Sequence, residues 1–231
     1  QNARSQLTYR VQTLAEAIDL FLKERNAILA AMAGTHTFQE ISDETRLAQI
    51  LTIMNDSAGA FVDLGVIDAQ GNHVAYVGPY DLKGRNYNEQ TWFAEVLSKG
   101  VYKSDVYMGF RKLPHFIIAV RRHSGGAPWV LRATIDPETL GDILRTAQTG
   151  KTGDAYLLNR AAVFQTQPRF HHRILEETTL DTEQFGGRVT LSEHRNPAGQ
   201  RRVLAGSWLK DRKWLLVIEQ DPSEPLQDLF T

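Results

Sequence analysis

The sequence predicts an α+β protein in which a long N-terminal helix precedes two tandem modules, each an antiparallel sheet of about five strands with flanking helices. Three observations carry this prediction. Apolar residues recur at helical spacing over roughly the first 30 residues, the spacing then changes to that of strands, and one strand segment recurs later in the chain. We expect the helix at 1–36, the first module at 37–148 and the second at 149–231.

The composition indicates a globular chain. Apolar residues make up 42% of the 231 residues, enough for a core in each module. The formal charge of -1, without a basic run, argues against a nucleic-acid partner, and the lack of cysteine excludes disulfides and thiolate metal sites. No apolar run approaches the roughly 18 residues of a membrane helix, and the chain starts with Gln1 rather than Met. We therefore expect a soluble piece of a longer protein.

An apolar seam predicts the N-terminal helix. Its members recur three, four or seven residues apart and are Leu7, Val11, Leu14, Ile18, Phe21, Ile28 and Met32. Arg25 alone interrupts the seam. The helix either lies across its own domain or also pairs with the same helix of a second copy, and the sequence leaves both open. A shorter amphipathic helix is expected from about Asp43 to Met54.

Strand patterns begin at Phe61. The predicted elements of the first module are strands over 61–68 and 73–77, a helix over about 89–98, and strands over 101–110, 114–122 and 129–135. Asp136 is expected to cap a following helix, with Pro137 in its first turn and an end near Thr146.

The second module repeats the first in shortened form. In the first copy, Trp129-Val-Leu is separated by four residues from Asp136-Pro137. In the second copy, Trp214-Leu-Leu is separated by four residues from Asp221-Pro222. Each copy closes an apolar strand and opens a predicted helix. Further strands are predicted over 154–159, 162–165, 188–193, 201–208 and 213–219. Two modules explain this internal repeat more simply than a single sheet in which the second match is a coincidence.

The candidate catalytic motifs in the sequence lack the residue spacing that their chemistry requires. Gly150-Lys-Thr152 resembles the end of a phosphate-binding loop, but Arg145 occupies the place of the required earlier glycine. The adjacent His171 and His172, with His194, favour a solvated loop, because neighbouring residues of a strand point to opposite faces. Nucleophile-elbow, zinc-protease and dinucleotide motifs are lacking in the sequence. We expect no catalytic activity, no metal and no cofactor.

The order of elements and three segments resemble one family, the double Cache (PAS-like tandem) extracytoplasmic sensor domains of bacterial histidine kinases, chemoreceptors and diguanylate cyclases. The segments are Asn-Tyr-Asn-Glu-Gln-Thr-Trp-Phe at 86–93, the stretch 106–120, and Gly-Lys-Thr-Gly-Asp-Ala-Tyr-Leu-Leu at 150–158. Phe-Arg-Lys-Leu-Pro-His-Phe at 110–116 is most similar to histidine kinases.

The resemblance implies a periplasmic or extracellular sensor whose first, membrane-distal module binds a small molecule between the sheet and a covering loop and helix. It also implies a parent protein anchored in the membrane on both sides, and a homodimer formed through the N-terminal helix. The second, membrane-proximal module would lead through residues 221–228 to a membrane helix. The expected parent is a sensor histidine kinase of a two-component system. A chemoreceptor or diguanylate cyclase parent, a cytoplasmic PAS-type module with haem or flavin, and a ligand-free interaction domain are the alternatives.

The same resemblance suggests ligand contacts. Amino-acid-binding members use an arginine, an aromatic pair and a later acid. Here Trp92 and Phe93 match the pair and Asp136 falls near the acid, but Gln90 stands in place of the arginine. A glutamine offers a carboxylate only a neutral donor, which weakens the case for an α-amino acid. The expected ligand is a carboxylate, an amino acid, an amine or a similar small molecule. The predicted ligand-binding residues are Arg85, Tyr87, Gln90, Trp92, Phe93, Tyr107, Gly109, His115, Ile117 and Asp136.

Structural explanations compete with ligand contact at these positions. One ring of Trp92 and Phe93 should pack on the sheet. His115 could be a neutral histidine with one backbone partner, and Asp136 could serve only as a helix cap. The nearest cations that could replace the missing arginine are Arg85 and Arg111.

Overall fold

The computed structural model describes residues 3–109 and 112–224. The chain divides into two compact units, one formed by Leu22–Asp136 and the other by the first 21 residues together with the residues from Pro137 onward. We call them the six-stranded unit and the four-stranded unit after their sheets. The predicted α+β architecture, with a long N-terminal helix and two antiparallel sheets, is confirmed.

The N-terminal helix, α1, spans Ala3–Thr35. The first five members of the predicted seam are buried, and beyond Phe21 the buried positions are Leu22, Arg25, Leu29 and Ala33. Ile28 and Met32 are only half-buried, because a stripe on a helix of 3.6 residues per turn drifts from a fixed three-four pattern. Arg25 belongs to the buried stripe, where its guanidinium donates to the Ala58 carbonyl. None of the helices in the described residues has the length and apolar character needed to cross a membrane.

In the six-stranded unit, α1 is followed by the single-turn α2, Phe38–Ile41, and by α3, Glu44–Ser57. Its strands and remaining helix are β1 Phe61–Ile67, β2 His73–Val77, α4 Thr91–Lys99, β3 Val101–Lys103, β4 Tyr107–Met108, β5 Pro114–Ser124 and β6 Ala127–Ile135. The strand order is β2-β1-β6-β5-β3, with β4 also paired to β5, and all pairings are antiparallel. The predicted hairpin at 61–77 is confirmed.

The single strand predicted over 101–110 is wrong, since β3 and β4 are separate. Ser104 explains the break, because its hydroxyl, rather than a backbone carbonyl, accepts the Ile117 N–H at 2.8 Å. The pairing register to β5 then slips by one residue between Lys103–Ile118 and Tyr107–His115. The end of that prediction and Arg111 lie outside the described residues.

The two faces of this sheet have different cover. Helix α3 packs against β1 and β2, whereas α4 packs against β3, β5 and β6. Beneath α4 lies an apolar cluster of Ile67, Phe93, Val96, Ala119 and Val130. Ile67 pairs with Val130, Gly65 with Arg132 and Asp63 with Thr134, so these six residues share one face. That face is apolar beneath α4 and becomes polar farther along β1 and β6.

The four-stranded unit begins its second segment with α5, Glu138–Arg145, which packs on β7. Its further elements are β7 Asp154–Leu158, a 3-10 turn at Thr182–Gln184, β8 Thr190–Arg195, β9 Arg201–Trp208 and β10 Leu215–Gln220. The strands pair in the order β7-β10-β9-β8. The hydrophobic core of this unit consists of Tyr156, Leu158, Phe164, Leu180, Phe185, Leu204, Trp208, Leu215 and Val217.

The four-stranded unit differs in places from the predicted elements. The strand predicted at 162–165 is absent from the described residues, where only isolated bridges at Val163 and Phe164 occur. Residues 221–224 are not helical, and the rest of the predicted segment 221–228 lies outside the described residues. The division at Pro137 precedes the predicted boundary at 148, since α5 packs on β7. Which module lies nearer a membrane stays a prediction.

Candidate functional site

The six-stranded unit contains a cavity of about 350 Å³, within the size range of small-molecule sites. Its floor is the polar part of the sheet face described above. Its cover is the segment from Tyr80 to Trp92 together with β4. The lining residues are Tyr80, Leu82, Arg85, Tyr87, Trp92, Tyr102, Ser104, Tyr107, Gly109, His115, Ile117, Arg132 and Thr134.

The structure brings most of the predicted ligand-binding residues together around this cavity. Those that line it are Arg85, Tyr87, Trp92, Tyr107, Gly109, His115 and Ile117. Their contact with a ligand stays a prediction. Of the lining residues that the sequence did not single out, Arg132 and Thr134 belong to β6, whose apolar pattern concealed their register, whereas Tyr80 and Leu82 lie in the covering segment.

Gln90, Phe93 and Asp136 do not line the cavity. Phe93 is buried in the apolar cluster beneath α4, so of the aromatic pair only Trp92 faces the cavity. Gln90 is the exposed N-cap residue of α4, and its side chain makes no capping hydrogen bond. Asp136 is exposed and does not cap α5 as expected. The cap position falls on Pro137, because the Pro137 carbonyl accepts the first helical bonds, from Leu140 at 3.0 Å and Gly141 at 3.1 Å.

The β1–β2 turn holds the covering segment in place. The Tyr87 N–H donates to the Gly71 carbonyl at 2.8 Å, and the His73 N–H donates to the Arg85 carbonyl at the same distance. Gly71 has φ 86°, and a Cβ on it would lie 2.6 Å from the Asn88 nitrogen. Only glycine allows both this backbone conformation and this close approach. The turn therefore fixes where Tyr87 and Trp92 begin to cover the sheet.

Aromatic rings form one wall of the cavity. The Trp92 ring stacks on Tyr102 at a centroid distance of 6.0 Å and lies 5.3 Å from Tyr87. On the opposite side the Tyr80 hydroxyl lies 3.1 Å from His115 Nε2. Such rings offer a ligand large apolar faces and a few hydroxyl groups at their edges.

Two buried charges lie at the floor of the cavity. Arg132 is 4% exposed and Asp63 is fully buried. Arg132 Nη2 donates to Thr134 Oγ1 at 2.7 Å and lies 3.5 Å from Asp63 Oδ2. The Asp63 carboxylate also accepts the Tyr76 hydroxyl and the Thr134 N–H, both at 2.8 Å. Arg132 Nη1 is buried and has no hydrogen-bond partner among the described residues.

Burial favours the neutral form of the histidine and tyrosine side chains around the floor. It lowers the pKa of His73 to about 3, with the Arg132 charge acting in the same direction. Burial also lowers the pKa of His115, against the charges of Asp136 and Asp63. The pKa values of the Tyr87 and Tyr107 hydroxyls are raised, again mainly by burial. Near pH 7 these side chains are therefore uncharged hydrogen-bonding groups.

The described residues contain no group of three or more histidine, aspartate or glutamate side chains placed to hold a metal ion. Instead, His194 Nε2 lies 2.8 Å from Glu219 Oε2, and His172 Nδ1 lies 3.2 Å from Glu176 Oε2. These are pairs of side chains rather than a shared coordination site.

Gly65→Ala is expected to destabilise the six-stranded unit by about 2 kcal/mol. A Cβ on Gly65 would lie 2.0 Å from His73 Nε2, and the His73 ring is held by the Tyr87 hydroxyl at 3.1 Å from Nδ1. Urea unfolding would measure the loss. Gly186→Ala is the matched control, because nothing lies within 4 Å of its Cβ position, and it should change stability by less than about 0.5 kcal/mol. Equal effects of the two variants would contradict the close packing of His73 on β1.

Comparison with solved structures finds the same fold in extracellular ligand-binding domains. The extracellular domain of rpHK1S-Z16, described as a histidine kinase, superposes with a TM-score of 0.73 at 14% identity and covers 95% of this chain and 94% of its own. The ligand-binding domain of the Pseudomonas aeruginosa amino acid chemoreceptor PctB, in complex with L-Arg, gives 0.73 at 16% identity, with 96% and 89% covered.

An extracellular ligand-binding receptor from Desulfohalobium retbaense gives a TM-score of 0.71 at 13% identity. The alignment covers 95% of this chain but only 41% of that receptor chain. No family model and no curated protein matches the sequence. At these identities the likeness establishes the fold, which this chain shares with extracellular ligand-binding domains of the kind that the sequence resemblance predicted.

Proposed function

We propose that this chain is the extracytoplasmic small-molecule-sensing domain of a transmembrane signalling receptor, a sensor histidine kinase of a two-component system. The observation that carries the proposal is the cavity in the six-stranded unit, which combines an aromatic wall with a buried, incompletely hydrogen-bonded arginine. Convergent polar groups in an otherwise apolar cavity are typical of ligand sites. The shared fold with extracellular ligand-binding domains supports the same function.

The type of parent receptor has two candidates with support. The extracellular domain of the histidine kinase and the ligand-binding domain of the PctB chemoreceptor superpose equally well on this chain, both with a TM-score of 0.73. The sequence at 110–116 favours the kinase. If the parent is a histidine kinase, the full-length protein in membrane vesicles should autophosphorylate. A ligand found in the screen below should change the rate of that autophosphorylation.

Signalling would pass through α1, which contributes residues to both units. A ligand that prefers one of two arrangements of the cavity cover would shift the population of α1 states. Two exposed apolar residues of α1, Tyr9 at 65% and Leu20 at 54%, are eleven residues apart and therefore on one helix face. This face supports pairing with a second copy of the helix in the membrane-anchored receptor.

A thermal-shift screen with carboxylates, amino acids, amines and purines tests the sensing function. A ligand at a hundred times its dissociation constant should stabilise the fold by about 2.7 kcal/mol. The absence of any stabilising compound would count against a sensor of such molecules. A coloured protein with a haem or flavin spectrum would instead support the cytoplasmic PAS-type alternative.

Trp92→Ala is expected to weaken binding of the ligand found in that screen by about tenfold. The variant removes the ring that stacks on Tyr102 and contacts Tyr87, and loss of one aromatic contact costs about 1.4 kcal/mol. Isothermal titration calorimetry measures the change. Tyr9→Ala, an exposed ring in the other unit, serves as the control and should bind as the unmodified protein does. Unchanged affinity in Trp92→Ala would remove the cavity as the ligand site.

A further inference from the structure

We propose that the cavity takes a small organic monocarboxylate without an amino group, anchored by Arg132 on the sheet floor. This inference rests on the proposed sensing function and specifies its ligand class. It assigns the anchoring role to a residue of β6 rather than to the segment that precedes α4.

The first argument is the unsatisfied guanidinium. Arg132 lines the cavity, is almost completely buried, and leaves Nη1 without a partner among the described residues. Its nearest carboxylate oxygen, Asp63 Oδ2, lies at the long distance of 3.5 Å from Nη2. A buried donor without an acceptor is costly, so a ligand oxygen that reaches Nη1 gains a charge-assisted hydrogen bond and removes that cost.

The second argument is that Asp63 is not available to a ligand. It is not among the cavity-lining residues, and its two oxygens already accept the Thr134 N–H and the Tyr76 hydroxyl. Its negative charge offsets Arg132 beside it on the same face of the sheet. A ligand ammonium group would therefore find no free carboxylate at this position.

The third argument is the charge of the lining as a whole. No aspartate or glutamate lines the cavity among the described residues, and the two undescribed positions of the neighbouring loop are Phe110 and Arg111. The hydroxyls of Tyr87 and Tyr107 lie near the guanidinium and act on its charge. As neutral donors they suit a carboxylate, whereas an amino acid or amine would bury its ammonium group without an anionic partner.

The ligand should carry one negative charge and an apolar body. Arg132 shares its charge with Asp63, and the other lining cation, Arg85, lies on the exposed cover, so a second ligand charge at the floor would be buried without compensation. Trp92, Tyr87 and Tyr102 provide an apolar wall for the rest of the molecule. Tyr107, which is 42% exposed on the two-residue β4, has its hydroxyl beside the Arg132 guanidinium, so we expect its ring to move when a carboxylate binds there.

Matched acid and amide pairs test the ligand class on the unmodified protein. The probes are propionate and propionamide, lactate and lactamide, and benzoate and benzamide, with L-alanine and ethylamine as amino-bearing counterparts. Calorimetric titration should show at least one acid binding at least about 30-fold more tightly than its amide, since the amide lacks the charge. Equal affinity within every pair, or tighter binding of an amino-bearing probe, would overturn the carboxylate assignment but leave the sensing function standing.

Two variants test the anchor by changing the two buried charges, first Asp63 alone and then both together. Asp63→Asn keeps Arg132 and should bind the acid found above at least as tightly as the unmodified protein. Asp63→Asn combined with Arg132→Gln is neutral in charge and keeps a donor toward Thr134, and it should bind that acid at least about 30-fold more weakly. Circular dichroism checks that both fold.

Retained affinity in the folded double variant would reject Arg132 as the anchor. If the double variant does not fold, Arg132→Lys replaces it, with a weaker but measurable loss because the planar fork is gone. If no probe of any kind binds at millimolar concentration, both the carboxylate assignment and the sensing cavity are rejected.

Discussion

Asp63→Ala is expected to lower the free energy of unfolding of the six-stranded unit by about 3–5 kcal/mol. Asp63 is fully buried, and its carboxylate accepts the Tyr76 hydroxyl and the Thr134 N–H at 2.8 Å each. Alanine removes both acceptors and leaves the Arg132 guanidinium buried without its counter-ion. Urea unfolding followed by tryptophan fluorescence measures the loss, since Trp92 and Trp129 both belong to this unit.

A pair of further variants separates the charge from the hydrogen bonds. Tyr76→Phe removes one donor to Asp63 and a weak acceptor of the Tyr80 N–H at 3.3 Å, and it should cost about 1 kcal/mol. Asp63→Ala combined with Arg132→Met removes both charges, so it should be about 2 kcal/mol more stable than Asp63→Ala alone. A double variant less stable than the single one would show that Arg132 does not depend on Asp63 for its burial.

The sequence predicted those parts of the fold that depend on local pattern. The hairpin at Phe61–Ile67 and His73–Val77 follows from alternating apolar residues and a glycine turn, and β9 was predicted with its observed bounds. The break between β3 and β4 could not be predicted, because the Ser104 hydroxyl replaces a backbone acceptor only once β5 lies beside it.

The floor of the cavity depends on partners that are distant in the sequence. Asp63 and Arg132 each interrupt an apolar strand, and that interruption is the one signal the sequence offers. Their proximity results from the β1–β6 register, which pairs residues about seventy positions apart. The cover of the cavity was easier to predict from the sequence, because Tyr87 and Trp92 lie in one short segment. The sequence alone does not decide which of Trp92 and Phe93 faces the cavity. The start of α4 decides it, with Phe93 buried against the sheet and Trp92 in the cavity wall.

The four-stranded unit contains a second buried acid with a different consequence. Asp154 is 1% exposed at the start of β7, where its carboxylate accepts the Ala155 N–H at 2.8 Å and the Arg169 N–H at 2.9 Å. Burial raises its pKa from 3.8 to about 6, and the charge of Glu219, which faces it across the β7–β10 pairing, acts in the same direction. The hydrogen bonds from Arg169 and Ala155 oppose the rise only in part.

Because the folded state holds this proton more tightly than the unfolded state, stability should be greatest below about pH 4 and fall as the pH rises through about 6. A pKa difference of one corresponds to about 1.4 kcal/mol, so the contribution lost is about 3 kcal/mol. Other groups titrate over the same range, and comparison with Asp154→Asn cancels them. The Asn variant should gain about 3 kcal/mol relative to the unmodified protein between pH 4 and pH 7.5.

Urea unfolding at four pH values, followed by the fluorescence of Trp208 and Trp214 in the same unit, measures this difference. Glu219→Gln offers a sharper check. Removal of the like charge that faces Asp154 should lower the pKa of Asp154, and so move the midpoint of the pH effect to a lower value without abolishing the effect. Asp56→Asn, at an exposed site in the other unit, should show no such pH-dependent difference. If Asp154→Asn followed the same pH course as the unmodified protein, burial would not be what sets the protonation of Asp154, and the stability of this unit would depend on pH through other groups.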